Sequence, residues 1–175
     1  MNGFVVWLTG LPGSGKTTIA RELGPKLVAL GFPVEILDGD EIRQNLSKGL
    51  GFSREDRETH LKRSVYVAKL LSRNRVAVIA AFISPYRNIR EYARKETTNF
   101  LEVFVKCSVE TCARRDPKGL YKKASSGQIK DLTGPQDLYE APLNPDLVID
   151  TETLNIGESV DLIMNKLKTM QLIQV

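Results

Sequence analysis

The chain has little with which to staple itself together: two cysteines, Cys107 and Cys112, and one histidine, His60, in 175 residues. One cysteine ends a strand pattern and the other starts a helical one, so both are expected to be reduced packing residues, with no disulfide or metal role. Long apolar runs are missing as well. The longest, such as Val76 to Ile83, falls far short of the ~20 residues that span a bilayer, which excludes a membrane helix. The first apolar run begins at Phe4 and leaves no room for a secretory leader, so a cytoplasmic protein is expected. Repeats, low-complexity tracts and linkers are also absent. The length suits one domain over 1–175 with a substantial core.

What the chain does have stands near its start, in "WLTGLPGSGKTTIA". Gly10, four residues, Gly15, Lys16 and Thr17 fit G-x-x-x-x-G-K-[ST] without a gap. That spacing suits phosphate: Gly10, Gly13 and Gly15 let successive backbone N–H groups turn inward, with Ser14 between them. Lys16 then reaches the β/γ oxygens and Thr17 offers its hydroxyl to Mg²⁺, followed by Thr18. The context agrees. Phe4 to Leu8 reads as a buried strand, and Ile19, Leu23 and Leu27 recur every four residues, as on the inner face of a helix. The helix N-terminus adds its dipole to anion binding.

Apolar, β-branched runs near 4–8, 34–38, 75–83, 101–106 and 147–150 alternate with amphipathic segments. This predicts an α/β fold of the P-loop NTPase kind, a parallel sheet with helices on both faces and the site at the strands' carboxyl ends. Ser53 followed by Asp56 reads as a capping box for a helix through Leu61, Val65, Ala68 and Leu71 to Arg73, and Val160, Met164, Leu167 and Met170 mark a closing helix. The formal charge of +4 is unevenly spread. Between Arg114 and Lys130, the cations Arg114, Arg115, Lys118, Lys122, Lys123 and Lys130 stand against only Asp116, with Gly119 and Gly127 inside the stretch and Gly134 just beyond it. Such a segment, about 114–134, reads as a lid over polyphosphate in preference to a solvated basic loop. A nucleic-acid partner is not expected; that alternative requires an affinity that falls steeply with salt.

A motor ATPase or GTPase carries an acid at the end of a separate strand, but "VAVIAAFIS" ends in Ser84. The carboxylates end "VEILDGDEIR" instead. Asp38 and Asp40, one glycine apart, can orient Mg²⁺ through water and accept a proton from an acceptor hydroxyl, and Asp40 can also cap a helix beginning at Glu41. The cations Arg43, Arg57, Lys62 and Arg63 with Phe52, whose ring can stack on a base or fill the core, point to a small-molecule kinase with an anionic acceptor.

Together, "WLTGLPGSGKTT", "LDGDEIR", "LGFSREDR", "FISPYR", "RDPKGLYKKA" and "YEAPLNP" resemble the adenylyl-sulfate kinase family, in family order over nearly the whole chain. The resemblance implies transfer of the ATP γ-phosphate to the 3′-hydroxyl of adenosine 5′-phosphosulfate, with Mg²⁺, in a homodimer serving sulfate assimilation. It implies that Asp38 and Asp40 hold the catalytic base and the Mg²⁺ partner, without saying which is which. Arg43 and Arg57 would hold the phosphosulfate side, Phe52 would stack on the acceptor adenine, and Ile83 and Ser84 would line its pocket. Lys118 and Lys122 would approach the phosphates, and Arg115 would lie on the ATP adenine. The serine matching Ser84 can carry phosphate in some relatives; here it is expected to hydrogen-bond locally.

Three departures stand out. "DRETHLKR" replaces "DRxENIRR", so His60 stands for an asparagine expected at the acceptor, making that hydrogen bond pH-sensitive. In "IKDLTGP", Leu132 replaces the phenylalanine that completes the sandwich around the acceptor base. The family's extension before the first strand is missing, and any regulation that depends on it is expected to be absent. The rival readings are a kinase of the same fold acting on a sugar or a nucleoside monophosphate, and a nucleotide-binding module that transfers nothing.

Overall fold

The computed structural model describes residues 2–174. Five strands, β1 (Phe4–Thr9), β2 (Val34–Asp38), β3 (Ala77–Ala81), β4 (Phe100–Lys106) and β5 (Leu147–Asp150), form one parallel sheet in the order β2-β3-β1-β4-β5. Between them run α1 (Lys16–Ala29), α2 (Gly39–Leu46), α3 (Arg54–Arg73), α4 (Arg87–Glu96), α5 (Val109–Arg115) and α6 (Leu120–Ser125), and α7 (Ile156–Thr169) closes the chain. The chain is α/β as expected. Because β1 is central and covered on both faces, alternate residues enter two cores: Phe4, Val6 and Leu8 pack with Ile19, Leu23 and Leu27 of α1, and Val5 and Trp7 with Leu61, Val65 and Ala68 of α3.

Several boundaries differ from expectation for visible reasons. The strand expected at 75–83 is shorter, since Arg75 before it and Ser84 after it have left-handed φ values of 68° and 40°. Asp38, and not Asp40, caps α2, accepting from the Asp40 N–H at 3.0 Å, and the helix begins at Gly39. The Ser53 box is half formed: Ser53 accepts from the Asp56 N–H, whereas the Asp56 carboxylate turns back to the Gly51 N–H. The complete box belongs to α7, where Asn155 and Glu158 bond each other's backbone.

β1 and β2 end at the same edge of the sheet, so Gly10–Lys16 and Asp38–Asp40 emerge side by side. No helix among the described residues is long and apolar enough to cross a membrane. Cys107 and Cys112 are both free and buried, in a third cluster with Tyr121, Ala124 and Leu132 beneath the basic segment. Burial, with the neighbouring Cys107, pushes the Cys112 thiol up to about 12, the signature of an inert packing residue.

Candidate active site

The loop after β1 is shaped by backbone first. A Cβ on Gly10 would lie 2.4 Å from the Val105 carbonyl oxygen of β4, so no larger residue lets the loop turn here. Gly15, with φ of 106°, is the N-cap of α1 and provides no side-chain cap, leaving the first helical N–H groups to a ligand. Lys16 Nζ donates to the carbonyls of Gly10 and Leu11 at 2.8 Å and to Ser14 Oγ at 3.4 Å. With the side chain 8% exposed, burial lowers its pKa to about 8 despite the opposing pull of Cys112, Asp38 and Asp40.

Thr17 Oγ1 donates to Asp38 Oδ2 at 2.9 Å, and the other Asp38 oxygen is taken by the α2 cap. Asp40 instead faces the basic segment, where its Oδ2 accepts from Lys118 Nζ. The two acids that look alike in "DGD" thus have separate partners. One is tied to the phosphate loop and the other to the segment above it.

These groups open into a single cleft of about 710 Å³, in the range of small-molecule sites. Gly13, Gly15, Lys16, Thr17 and Thr18 line one end, and Asp38, Asp40 and Lys118 the middle. Arg43, Phe52, Arg57 and His60 form the far wall with Ile83, Ser84 and Leu132. Phe52 is 60% exposed, which settles its reading against core packing; the Arg43 and Arg57 guanidinium carbons lie 4.7 and 5.8 Å from its ring centroid. Arg57 also binds its own chain, donating to Phe52 O, Thr133 Oγ1 and Asp131 O and pairing with Asp137 at 3.3 Å. It therefore ties α3 to the end of the basic segment.

Lys122 is a correction. It is exposed on α6 and lies outside the cleft, because α6 turns Tyr121 inward, its hydroxyl donating to Pro12 O at 2.9 Å, and so turns Lys122 outward. Gly10 and Ser14 belong to the loop but do not line the cleft; the Gly10 carbonyl and Ser14 Oγ accept from Lys16 Nζ. Lys62 and Arg63 are likewise outside the cleft, with Arg63 on Leu46 O. Ser84 makes the expected local hydrogen bond, its hydroxyl donating to Phe82 O at 3.5 Å, and also accepts from Trp7 Nε1 at 3.1 Å across 77 residues. The residue is 2% exposed.

His60 does line the cleft, and only its expected pH sensitivity is corrected. It is 6% exposed, with Nδ1 2.9 Å from Ser47 Oγ and the ring edge-on to Phe82. Burial, then Arg43 and Arg63, lower its pKa to about 4, so it stays neutral around pH 7 and confers no pH sensitivity there. The unfolded chain takes up this proton near pH 6.5 and the folded chain only near 4. The stabilising contribution is therefore complete above 6.5 and lost as pH falls towards 4. Urea midpoints at pH 7 and 4.5 should differ more in the native protein than in His60→Asn; equal differences would contradict the neutral, buried assignment.

Sequence reasoning missed Thr151, just past β5. Its hydroxyl donates to Ser14 O at 2.9 Å, while Arg115 donates to both Thr151 Oγ1 and Thr151 O, fixing the guanidinium beside the loop. The missed signal was positional, a threonine at a strand's carboxyl end beside the phosphate loop.

The family model for adenylylsulphate kinase matches residues 2–150. A probable adenylyl-sulfate kinase of Pseudomonas aeruginosa is 55% identical over 164 residues, covering 94% of this chain and 77% of that protein. An adenylyl-sulfate kinase of Rippkaea orientalis is 51% identical over 168 residues, covering 96% and 93%. The structure of the Mycobacterium tuberculosis APS kinase in complex with AMPPNP and APS matches with a TM-score of 0.92 at 40% identity, covering 95% of this chain and 98% of that one. With the P-loop, the acid pair and the ring-and-guanidinium wall all in one cleft, the chain belongs to the adenylylsulphate kinase family.

Proposed function

We propose that this chain is an adenylyl-sulfate kinase, moving the ATP γ-phosphoryl group to the 3′-hydroxyl of adenosine 5′-phosphosulfate and releasing ADP and 3′-phosphoadenylyl sulfate in sulfate assimilation. The observation that carries the reading is one cleft in which Lys16 and the Asp38/Asp40 pair stand between a phosphate loop and an exposed aromatic ring flanked by Arg43 and Arg57. A ring with two guanidiniums suits an acceptor that is both a nucleobase and an anion.

ATP lies with its phosphates on the loop amides and its adenine towards Arg115. The Thr17 hydroxyl and Asp38 carboxylate are hard oxygen donors already 2.9 Å apart, a set that fits Mg²⁺. Held by these two residues, Mg²⁺ would supply charge neutralisation to the ATP phosphates. Asp40, free of the Thr17 contact, is assigned as the base. It accepts the 3′-hydroxyl proton as that oxygen bonds to the γ-phosphorus and the bond to the ADP oxygen breaks. Lys16 and Lys118 neutralise the equatorial oxygens, so catalysis is mainly positioning and electrostatics. A homodimer in the cytoplasm belongs to the same proposal, and light scattering with cell fractionation tests those two parts.

The decisive assay is ADP release from ATP-Mg²⁺ with adenylyl sulfate, adenosine monophosphate, a sugar or no acceptor. Release with adenylyl sulfate alone is expected. Release no greater than the no-acceptor control would remove the acceptor assignment and leave only the nucleotide site. Leu132, 8% exposed in the cluster with Tyr121 and Ala124, also faces the acceptor end of the cleft. Leu132→Phe should restore the lost stacking and tighten the Kd for adenylyl sulfate by about 2- to 12-fold, from ~0.5–1.5 kcal/mol of aromatic contact. An unchanged Kd would show that leucine at this position costs the acceptor no affinity.

A further inference from the structure

Three side chains converge on two residues of the cleft wall. Thr9 Oγ1 donates to Ile83 O at 2.8 Å, Trp7 Nε1 to Ser84 Oγ at 3.1 Å, and Arg90 to Ser84 O at 2.5 Å. Arg90 has no part in the cleft itself. It sits on α4, 2% exposed, and its other nitrogens reach Glu102 of β4 at 3.0 Å and the Glu140 carbonyl at 2.5 Å. One guanidinium thus joins α4, β4, the loop after β3 and the segment after the basic stretch. The Tyr139 ring lies 5.8 Å from the same guanidinium, and its hydroxyl is 2.9 Å from Thr9 Oγ1.

A conformational reason accompanies this focus of hydrogen bonds. Ser84 has a φ of 40°, a left-handed value that a non-glycine residue holds only when its surroundings over-determine it. Released from Arg90, the Ser84 peptide would relax towards negative φ and carry Ile83 and Ser84 out of line with the facing Phe52 and Leu132. A buried, charged, five-donor group that places two of its bonds on loop carbonyls suits this task, because a planar fork fixes direction as well as distance.

We propose that Arg90 is a positioning residue for the acceptor: it acts through the Ser84 carbonyl to hold the Ile83–Ser84 wall and leaves the nucleotide end alone. This rests on the reading of that wall as the acceptor pocket. It predicts a split between substrates. Arg90→Met should raise the KM for adenylyl sulfate about tenfold or more while the KM for ATP changes less than about twofold, as expected from losing charge-assisted bonds that serve one substrate only. Arg90→Lys, retaining the charge and a donor, should recover part of the loss.

The experiment measures both KM values for native protein, Arg90→Met, Arg90→Lys and Ile163→Val. The last removes one methylene from the core beside α1 and lowers stability without touching the wall. Native protein without turnover of adenylyl sulfate would overturn the functional reading itself. Native turnover with equal rises in both KM values for Arg90→Met, or a rise in Ile163→Val matching it, would overturn the positioning role and leave Arg90 as a stability residue. Should Arg90→Met not fold, Arg90→Lys carries the test alone. An acceptor KM raised without the ATP KM supports the role, and an unchanged acceptor KM overturns it.

Discussion

Lys16→Ala is expected to lower kcat/KM by about 10³-fold or more while leaving the fold intact. The loss corresponds to ~4 kcal/mol, what a charge aimed at developing phosphate oxygens in a water-poor site supplies. Stability should not follow, because the buried ammonium is itself unfavourable: burial lowers its pKa from 10.5 to about 8. Between those values the unfolded chain holds a proton that the folded chain has released, so stability rises with pH through the window. The cost of burying the charge is full below pH 8 and gone above 10.5. At pH 7 the Tm of Lys16→Ala should therefore match or exceed that of the native protein. On the same grounds, kcat/KM for ATP should decline on the alkaline side with an apparent pKa near 8, as the free enzyme loses the ammonium. Retained turnover in Lys16→Ala, or a large fall in Tm, would show that the loop lysine has been given the wrong task.

The second large effect separates the two aspartates. Asp38→Asn preserves an amide oxygen for the α2 cap, so the helix should survive, while the charge beside Thr17 Oγ1 disappears. Turnover should fall about 10²-fold or more and the Mg²⁺ needed for half-maximal rate should rise, since a hard cation loses its anionic partner. Asp40→Asn should lower kcat by a comparable factor of about 10²–10⁴, the range of a lost general base, at an unchanged Mg²⁺ requirement. Measuring rate against Mg²⁺ for both variants decides the matter: a higher Mg²⁺ requirement in Asp40→Asn and not in Asp38→Asn would exchange the roles. Asp40→Asn should also loosen Lys118, its partner from the basic segment. Both groups are largely exposed, at 64% and 52%, so little stability is at stake.

The phosphate loop was legible because its chemistry is made by backbone: Gly10 and Gly15 are there for want of a side chain, and their spacing along the chain is their spacing in space. The strands were legible because β1 is buried on both faces and must be apolar at every position. Phe52 was not, since an apolar ring after a glycine reads the same whether it packs inside or stands 60% exposed. Lys122 was misplaced for a related reason. Charge marks a segment as basic, but only the rotation of α6, set by Tyr121 on Pro12, decides which lysine faces the cleft.

His60 shows the limit most clearly. Its residue type suggests a titrating group, yet burial beside Arg43 and Arg63 keeps the imidazole neutral. The sheet, the phosphate loop and the family were thus written in the chain, since all of them depend on local spacing and alternation. Which acid meets Thr17, which cations reach the cleft and what Arg90 braces were set by three-dimensional packing. Those outcomes depend on contacts between residues far apart in the chain, such as Trp7 with Ser84 and Arg57 with Thr133, and on burial, which alters what a side chain can do without altering what it is.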